Sequence, residues 1–344
     1  MYGIIDCDNC YVSCERVFRP DLKDKPVVVL SNNDGCVVAR SNEAKKMGIK
    51  AGTPYFQLAE QFPNQKIVVF SSNYELYGEL TSRVVSIISK EAPAYFRYSI
   101  DECFVYLDGM EHLDLKAWGE ELHKKIKRNV GMPVSIGLAP NKTLAKMASH
   151  FAKKYQGYRH CCMIDTDEKR IKALKLYPID EVWGIGRRYA ARLESLGVKT
   201  AYDFAEHNQS WVRATFNNIV IERTWRELNG EDCVPNEEMA KKKSICTSYH
   251  YKKAGVIVMG IGPNSPIQQD LFDINAEQLE KMKRLDAVID RINKVNGTET
   301  IVLGSQQYTQ KDGKGKANVF ANAIKHDFKS KNPTTRWSDI IVLK

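Results

Sequence analysis

Three carboxylates stand where strands read as ending. Asp101 and Glu102 interrupt an apolar β-type run, with Tyr95-Phe96-Arg97-Tyr98 before them and Phe104-Val105-Tyr106-Leu107 after. Neighbours in a regular strand point to opposite faces, so two adjacent acids converge only where a turn or bulge breaks the alternation. Like charges held that close repel and require something positive between them. One reading is a hairpin turn with solvated acids. The other is a divalent cation, and oxygen-only donors favour Mg²⁺. The opening Met1-Tyr2-Gly3-Ile4-Ile5-Asp6-Cys7-Asp8 reads as another strand ending in acids. Asp6 with Asp101 and Glu102 makes three carboxylates from two strands. Such a set can hold two Mg²⁺ ions for in-line phosphoryl transfer.

These acids lie in longer strings that resemble the Y-family translesion DNA polymerases, in their UmuC-like branch. The strings are Asp6 through Glu15 (DCDNCYVSCE), Lys25 through Gly52 (KPVVVLSNNDGCVVARSNEAKKMGIKAG), Phe70 through Tyr77 (FSSNYELY) and Tyr98 through Glu102 (YSIDE). The likeness runs to Ser248 and resumes in the C-terminal region. It implies an error-prone, template-directed DNA polymerase of damage tolerance and the SOS response. A primer 3′-hydroxyl attacks the α-phosphate of a dNTP, and pyrophosphate leaves. It implies Asp6, Asp101 and Glu102 as catalytic metal ligands, the Cys7 carbonyl as a further ligand, and two Mg²⁺ ions as cofactors. Tyr11 is implied as a steric gate against the ribose 2′-OH, the group that separates RNA from DNA precursors; the plainer reading is a packed aromatic. Arg40, Asn42, Lys45 and Lys153 are implied at the triphosphate, where a cation offsets charge developing during transfer. Lys46 reads as a solvated surface base.

The elements that must position these residues follow from local pattern. Cys10 to Phe18 reads as a short helix stopped near Pro20, and Pro26 to Leu30 as a β-branched strand. Asn32-Asn33-Asp34-Gly35 is a turn, Cys36 to Ala39 returns as a strand, and Ser41 opens a helix ending at Gly48. Tyr74 to Ser89 has Tyr77, Leu80, Val84, Ile87 and Ile88 on one helical face. Leu113 to Val130 is a further helix and Pro133 to Leu138 a strand. In Asn141 to Lys153, Leu144, Met147, Ala148 and Phe151 share one face, with Lys142, Lys146 and Lys153 on the opposite, solvated one. Strand, helix, strand, strand, helix, strand is the ferredoxin-like order expected of a polymerase palm. The fold class is therefore α+β. The palm is expected over 1–18 and 78–167, the fingers over 19–77 and a helical thumb over 168–235.

Within the thumb, Pro178 to Phe204 resembles a helix-hairpin-helix. Gly184-Ile185-Gly186 would let the backbone approach a DNA phosphate; a lone GxG is weak evidence, and the flanking helical patterns strengthen it. Beyond the Lys241-Lys242-Lys243 linker the chain departs from the family. Lys243 to Thr247 and Tyr251 to Gly260 resemble the opening and closing strands of the little-finger domain, with the rest absent between Ser248 and Tyr249. The roughly 20 residues of this 241–262 remnant fall below the ~40 needed to fold alone. A chain interruption at that step, or an irregular 241–262 stretch, is expected. The 263–344 tail carries Gln268-Gln269-Asp270-Leu271-Phe272, which resembles a bacterial sliding-clamp motif, with Gln268, Leu271 and Phe272 as contacts. Ala276 to Val295 reads as a charged helix. The end, through Thr335-Arg336-Trp337, resembles the region that in this family engages a UmuD-like subunit and the RecA filament.

Composition agrees with this reading without requiring it. The 344 residues suffice for two or more domains, and the net charge of +9 suits a polyanionic partner such as primer-template DNA. No apolar run is long enough to span a bilayer and no signal peptide leads the chain, so no membrane partner is expected. Nine scattered cysteines, with Cys7-x-x-Cys10 lacking a second pair, read as reduced and packed rather than as a zinc site. Reduced thiols point to the cytoplasm, and the resemblance implies a bacterial one, at the nucleoid. Two other classes compete. A nucleotidyl cyclase shares the palm but needs neither Tyr11, the hairpin nor a clamp motif. A non-catalytic DNA- or clamp-binding remnant would not need the intact acidic trio.

Overall fold

The computed structural model describes residues 1–63 and 66–235, strands at 244–249, 254–259, 310–311 and 317–318, a few helical positions between 281 and 291, and residues 328–331. Two compact units divide the chain, residues 1–236 with 326–344 and residues 237–325.

In the first unit, strand β1 (Tyr2–Cys7) leads into α1 (Cys10–Phe18), followed by β2 (Val27–Leu30), β3 (Val37–Arg40), α2 (Asn42–Lys46), α3 (Tyr55–Gln61) and β4 (Val68–Ser71). Next come α4 (Tyr74–Glu91), β5 (Ala94–Arg97), β6 (Glu102–Tyr106), α5 (Leu115–Val130), β7 (Val134–Ala139), α6 (Lys142–Lys154) and β8 (Cys161–Met163). Five helices close the run: α7 (Asp167–Leu176), α8 (Arg187–Ser195), α9 (Ala201–Ala205), α10 (Gln209–Phe216) and α11 (Ile219–Leu228).

The first sheet runs β5-β6-β1-β7-β8. Its first four strands, joined through α4 and α5, have the ferredoxin-like order expected from sequence. β1 lies at the centre, antiparallel to both β6 and β7. Ile4 and Ile5 face opposite sides of β1, and each is 1 % exposed, so both faces of the strand are covered. The second sheet runs β3-β2-β4, and all four residues of β2 are buried. β2 and β3 join through the expected turn, where Asn33 and Asp34 take left-handed backbone angles (φ 62° and 53°). Ser41 caps α2 by accepting from the Ala44 amide, and Asn73, Asp114 and Asn141 cap α4, α5 and α6 the same way.

Gly137 fixes the seat of α6. A Cβ there would lie 2.0 Å from the Ala145 carbonyl oxygen and 2.2 Å from the Ser149 nitrogen. Only a glycine lets the helix backbone rest directly on β7.

Three expectations change. Lys142 does not lie on a wet face: it is 4 % exposed and its Nζ donates to the Val234 carbonyl at 2.7 Å. The chain after α11 folds back over the start of α6, where Asn141 donates to the carbonyls of Glu227 and Glu231. The first helix of the helix-hairpin-helix is only a 3₁₀ turn, Ile179–Glu181, before α8. In the second unit, β9 (Ser244–Tyr249) runs through the Ser248-Tyr249 step without interruption and pairs with antiparallel β10 (Ala254–Met259), Ala254 opposite Tyr249. The two family-like flanks are thus paired as antiparallel strands. Among the described residues all cysteines are free thiols and no helix is long and apolar enough to cross a membrane.

Candidate active site

Asp6 is the last but one residue of β1 and Glu102 the first of β6, and they are direct partners across the ladder. Directly opposed residues project from the same face, so the pairing brings these two acids together. Asp101 precedes β6 in a tight turn. The Cys7 amide donates to its carbonyl at 2.9 Å. The Ser99 hydroxyl accepts from the amides of Asp101 and Glu102 at 3.3 and 3.1 Å and donates to the Asp101 carboxylate at 2.5 Å. The expected break in strand alternation is therefore this Ser99-centred turn.

α6 supplies the positive charge. Lys146 and Lys153 are two turns apart on one flank. Lys146 Nζ meets both oxygens of Glu102 at 2.8 and 2.9 Å and lies over the rings of Tyr98 and Trp183 at 4.9 and 5.3 Å. Lys153 Nζ meets both oxygens of Asp6 at 3.1 and 3.2 Å and Asp8 at 3.4 Å. Burial pushes the Asp6 carboxyl up to about 6; Lys153 opposes that rise, and the Asp8 and Glu102 charges add to it. Burial alone would lower the Lys153 ammonium, yet Asp6 and Asp8 hold it above its ordinary value.

A cleft of about 450 Å³ opens on this sheet end. Asp6, Cys7, Asn9, Tyr11, Arg40, Lys45, Asp101 and Lys153 all line it. The Tyr11 ring stacks on Tyr77, with centroids 4.6 Å apart and planes 14° off parallel, and meets Tyr74 edge-on at 5.7 Å. Arg40 is pinned by the Ile49 carbonyl at 2.8 Å and Lys45 by the Asn9 side-chain oxygen at 2.6 Å. Burial, with Lys153 and Arg40 close by, lowers the Lys45 ammonium. Asn42 does not line the cleft; it accepts from Asn9 at 3.0 Å. Glu102 also lies outside the lining, turned onto Lys146. A larger cavity of about 670 Å³, between α5 and α7, holds none of these residues.

Four residues at this site carry roles that local pattern did not assign. Asp8 shares Lys153 and accepts from the Ser135 hydroxyl at 2.8 Å. Asn9 sits in the left-handed region (φ 47°) and bridges Lys45 to Asn42. Lys146 neutralises Glu102, and Ser99 shapes the acidic turn. The left-handed bias of an Asp-Asn pair after a strand was the available signal for Asn9.

The donor set fits a hard divalent cation by its chemistry, since carboxylate oxygens crowd one sheet end, where burial above all, with the Asp8 and Glu102 charges adding, raises the Asp6 carboxyl. Lysine ammonium groups stand at two of those carboxylates. Among the described residues no three His, Cys, Asp or Glu side chains surround one point, so the acids must turn from the lysines to share an ion.

The hairpin 182–186 brings Ile185 inward at 5 % exposure and leaves Gly186 to start α8. Gly184 has φ +88°, and a Cβ there would lie 2.4 Å from Thr224 Oγ1. The clamp-like Gln268, Leu271 and Phe272 lie outside the described residues.

Comparison with known proteins agrees with this geometry. Residues 5–150 match the model of the impB/mucB/samB family, and residues 283–343 that of a domain of unknown function, DUF4113. The chain is 43 % identical to Protein UmuC of Salmonella typhimurium over 251 residues, 72 % of this chain and 59 % of that one. It is 29 % identical to DNA polymerase IV of Corynebacterium diphtheriae over 253 residues, 72 % of this chain and 55 % of that one. The chain thus spans under two thirds of the length of these relatives. Among solved structures, an insertion ternary complex of Dbh DNA polymerase aligns with a TM-score of 0.62 at 23 % identity, covering 73 % of this chain and 74 % of that one. DinB from Sulfolobus solfataricus aligns at 0.57, also at 23 % identity and with the same coverage. Over residues 5–150 the chain matches the impB/mucB/samB family, it is similar to UmuC-type relatives over 72 % of its length, and it folds as the Y-family DNA polymerases do.

Proposed function

We propose that the chain is a template-directed DNA polymerase of the error-prone translesion type, adding deoxynucleotides from dNTPs to a primer 3′-hydroxyl. One observation carries this reading. A single cleft presents Asp6 and Asp101 beside Tyr11 and three cations, Arg40, Lys45 and Lys153. A nucleoside triphosphate needs that combination: cations for its phosphates, acids for its metal and a ring at its sugar. Asp6, Asp101 and Glu102, with the Cys7 carbonyl, are the residues that would hold two Mg²⁺ ions, which offset charge at the reacting phosphate. Asn9 holds Lys45 toward the incoming phosphates, and Lys153 is close enough to exchange Asp6 and Asp8 for the triphosphate. The Tyr11 ring, backed by Tyr77, excludes a 2′-hydroxyl. Asn42 acts through Asn9.

In this reading residues 1–18 and 78–167 are the palm, 19–77 the fingers and 168–235 the thumb. Gly184, Ile185 and Gly186 present backbone to the duplex phosphates. The 241–262 segment, whose two described strands pair, is a shortened little finger. Gln268, Leu271 and Phe272 would engage the sliding clamp, and the 263–344 tail a UmuD-like subunit and the RecA filament. Work in the SOS response at the bacterial nucleoid, in the cytoplasm, follows. Support comes from relatives named UmuC and DNA polymerase IV and from polymerase ternary complexes of the same fold.

The test is Asp101→Ala in primer extension with Mg²⁺. Extension should be lost while the circular dichroism spectrum and melting temperature stay near the parent's, because Asp101 sits in a half-exposed turn rather than the core. Full extension by the mutant would sink the assignment. A parent chain that binds primer-template yet never extends it would favour the non-catalytic reading.

A further inference from the structure

Residues 328–331 lie far from the cleft in sequence and directly behind it in space. The Ser71 amide donates to the Phe328 carbonyl at 3.1 Å, and the Phe328 amide donates to the Ser71 hydroxyl oxygen at 2.9 Å. The tail thus pairs with the end of β4, at the open edge of the three-stranded sheet. The Phe328 ring meets Tyr55 edge-on at 5.5 Å and packs against the small core built on Val28, Leu30 and Leu58. Asn73 Nδ2 donates to the Ser330 carbonyl at 3.2 Å and to its hydroxyl oxygen at 2.9 Å.

From there the contacts lead to the cleft. The Ser330 hydroxyl donates to Glu15 Oε1 at 3.0 Å, and the Tyr77 hydroxyl donates to the same oxygen at 2.6 Å. Glu15 is 2 % exposed and Tyr77 fully buried. A carboxylate so placed depends on its hydrogen-bond donors for its position. Tyr77 in turn is the ring on which Tyr11 stacks. Tyr11 and Glu15 are one helical turn apart on α1, so the helix and the stacked rings form two sides of one closed path.

We propose that residues 328–331 are a strap that sets sugar specificity. Phe328 seats the tail on β4, and Ser330, through Glu15 and Tyr77, fixes the ring of Tyr11. Ser330 is a positioning residue, and its role rests on the reading of Tyr11 as the sugar gate.

The experiment uses the full chain and four variants: Ser330→Ala, Phe328→Ala, Tyr11→Ala and the Tyr11→Ala/Ser330→Ala pair. Ser330→Thr, which keeps the hydroxyl, is the rescue. The first readout is ¹⁹F NMR of 3-fluorotyrosine-labelled protein, with the Tyr11 resonance assigned by Tyr11→Phe. The second is the ratio of ribo- to deoxyribonucleotide incorporation. Ser330→Ala and Phe328→Ala should each shift the Tyr11 resonance. Each should raise the ribonucleotide ratio by roughly 2- to 10-fold, the range set by one modest hydrogen bond. Ser330→Thr should restore both, and Ser330→Ala should add nothing once Tyr11 is alanine. An unmoved Tyr11 resonance in both tail variants overturns the proposal, whether or not the chain extends primers. A parental ratio in both tail variants, beside a relaxed Tyr11→Ala, overturns the strap and leaves the gate standing. A parental ratio in Tyr11→Ala itself overturns the gate reading and the strap's specificity role with it. An equal Ser330→Ala effect in the Tyr11→Ala background shows that the tail acts elsewhere, which also refutes the proposal.

Discussion

Glu15→Gln should flatten the dependence of stability on pH. Glu15 is 2 % exposed on α1, and burial raises its carboxyl from 4.5 to about 7, although bonds from Tyr77 and Ser330 and the charge of Arg19 all oppose the rise. Between those two values the folded chain holds a proton that the unfolded chain has released. Folding is then favoured by acid. The contribution is complete below about pH 4.5 and is lost as pH climbs through about 7. At about 1.4 kcal/mol per pH unit, the difference amounts to roughly 3 kcal/mol. Glutamine keeps the shape and the accepting oxygen but does not titrate. The measurement is urea unfolding of parent and variant, followed by tryptophan fluorescence, at intervals from about pH 4 to 8. Subtracting the variant cancels the other titrating groups, and the parent's relative stability should fall by roughly 3 kcal/mol across the range. A difference that stays level, or one that rises with pH, would refute the burial argument for Glu15.

Three further changes test other parts of the structure. Gly137→Ala should lower stability by about 1–3 kcal/mol or more, since its Cβ falls on the α6 backbone, and should pull Lys146 and Lys153 from their acids; a parental melting temperature counts against this packing. Gly184→Ala meets both a positive φ and Thr224, so it should cost about 1–3 kcal/mol and weaken duplex binding in a fluorescence-anisotropy titration; parental affinity and stability together would show that the hairpin neither strains nor contacts DNA. Leu271→Ala with Phe272→Ala should remove binding to a sliding clamp in surface plasmon resonance while sparing DNA binding, and unchanged clamp affinity would remove that motif from the proposal.

Much of the site was legible because it is local. The bounds of α1 were read to the residue, the βαββαβ order was read from periodicity, and the Asn32-Gly35 turn from its chemistry. Each depends on residues within a few positions of one another, where backbone preference and burial pattern act directly. The likeness to a known family supplied the cleft's roster, and the structure brings Tyr11, Arg40, Lys45 and Lys153 together beside Asp6 and Asp101. Asn42 and Glu102 were named by the same likeness and reach the cleft only through neighbours.

The lysines of α6 show where local reading ends. Their spacing puts them along one flank, and a polar flank ordinarily faces water. Lys142 is instead buried under the segment after α11, while Lys146 and Lys153 bind the strand-end acids. The partners are 92, 44 and 147 residues away, and no helical period encodes them. The contact with Ser330 spans 315 residues. The sequence by itself determined which palm segments become strands and helices and where the acids fall on them. Only the tertiary structure decided which charge meets which, because pairing across hundreds of residues depends on how packed surfaces meet, and that is set by the whole core at once.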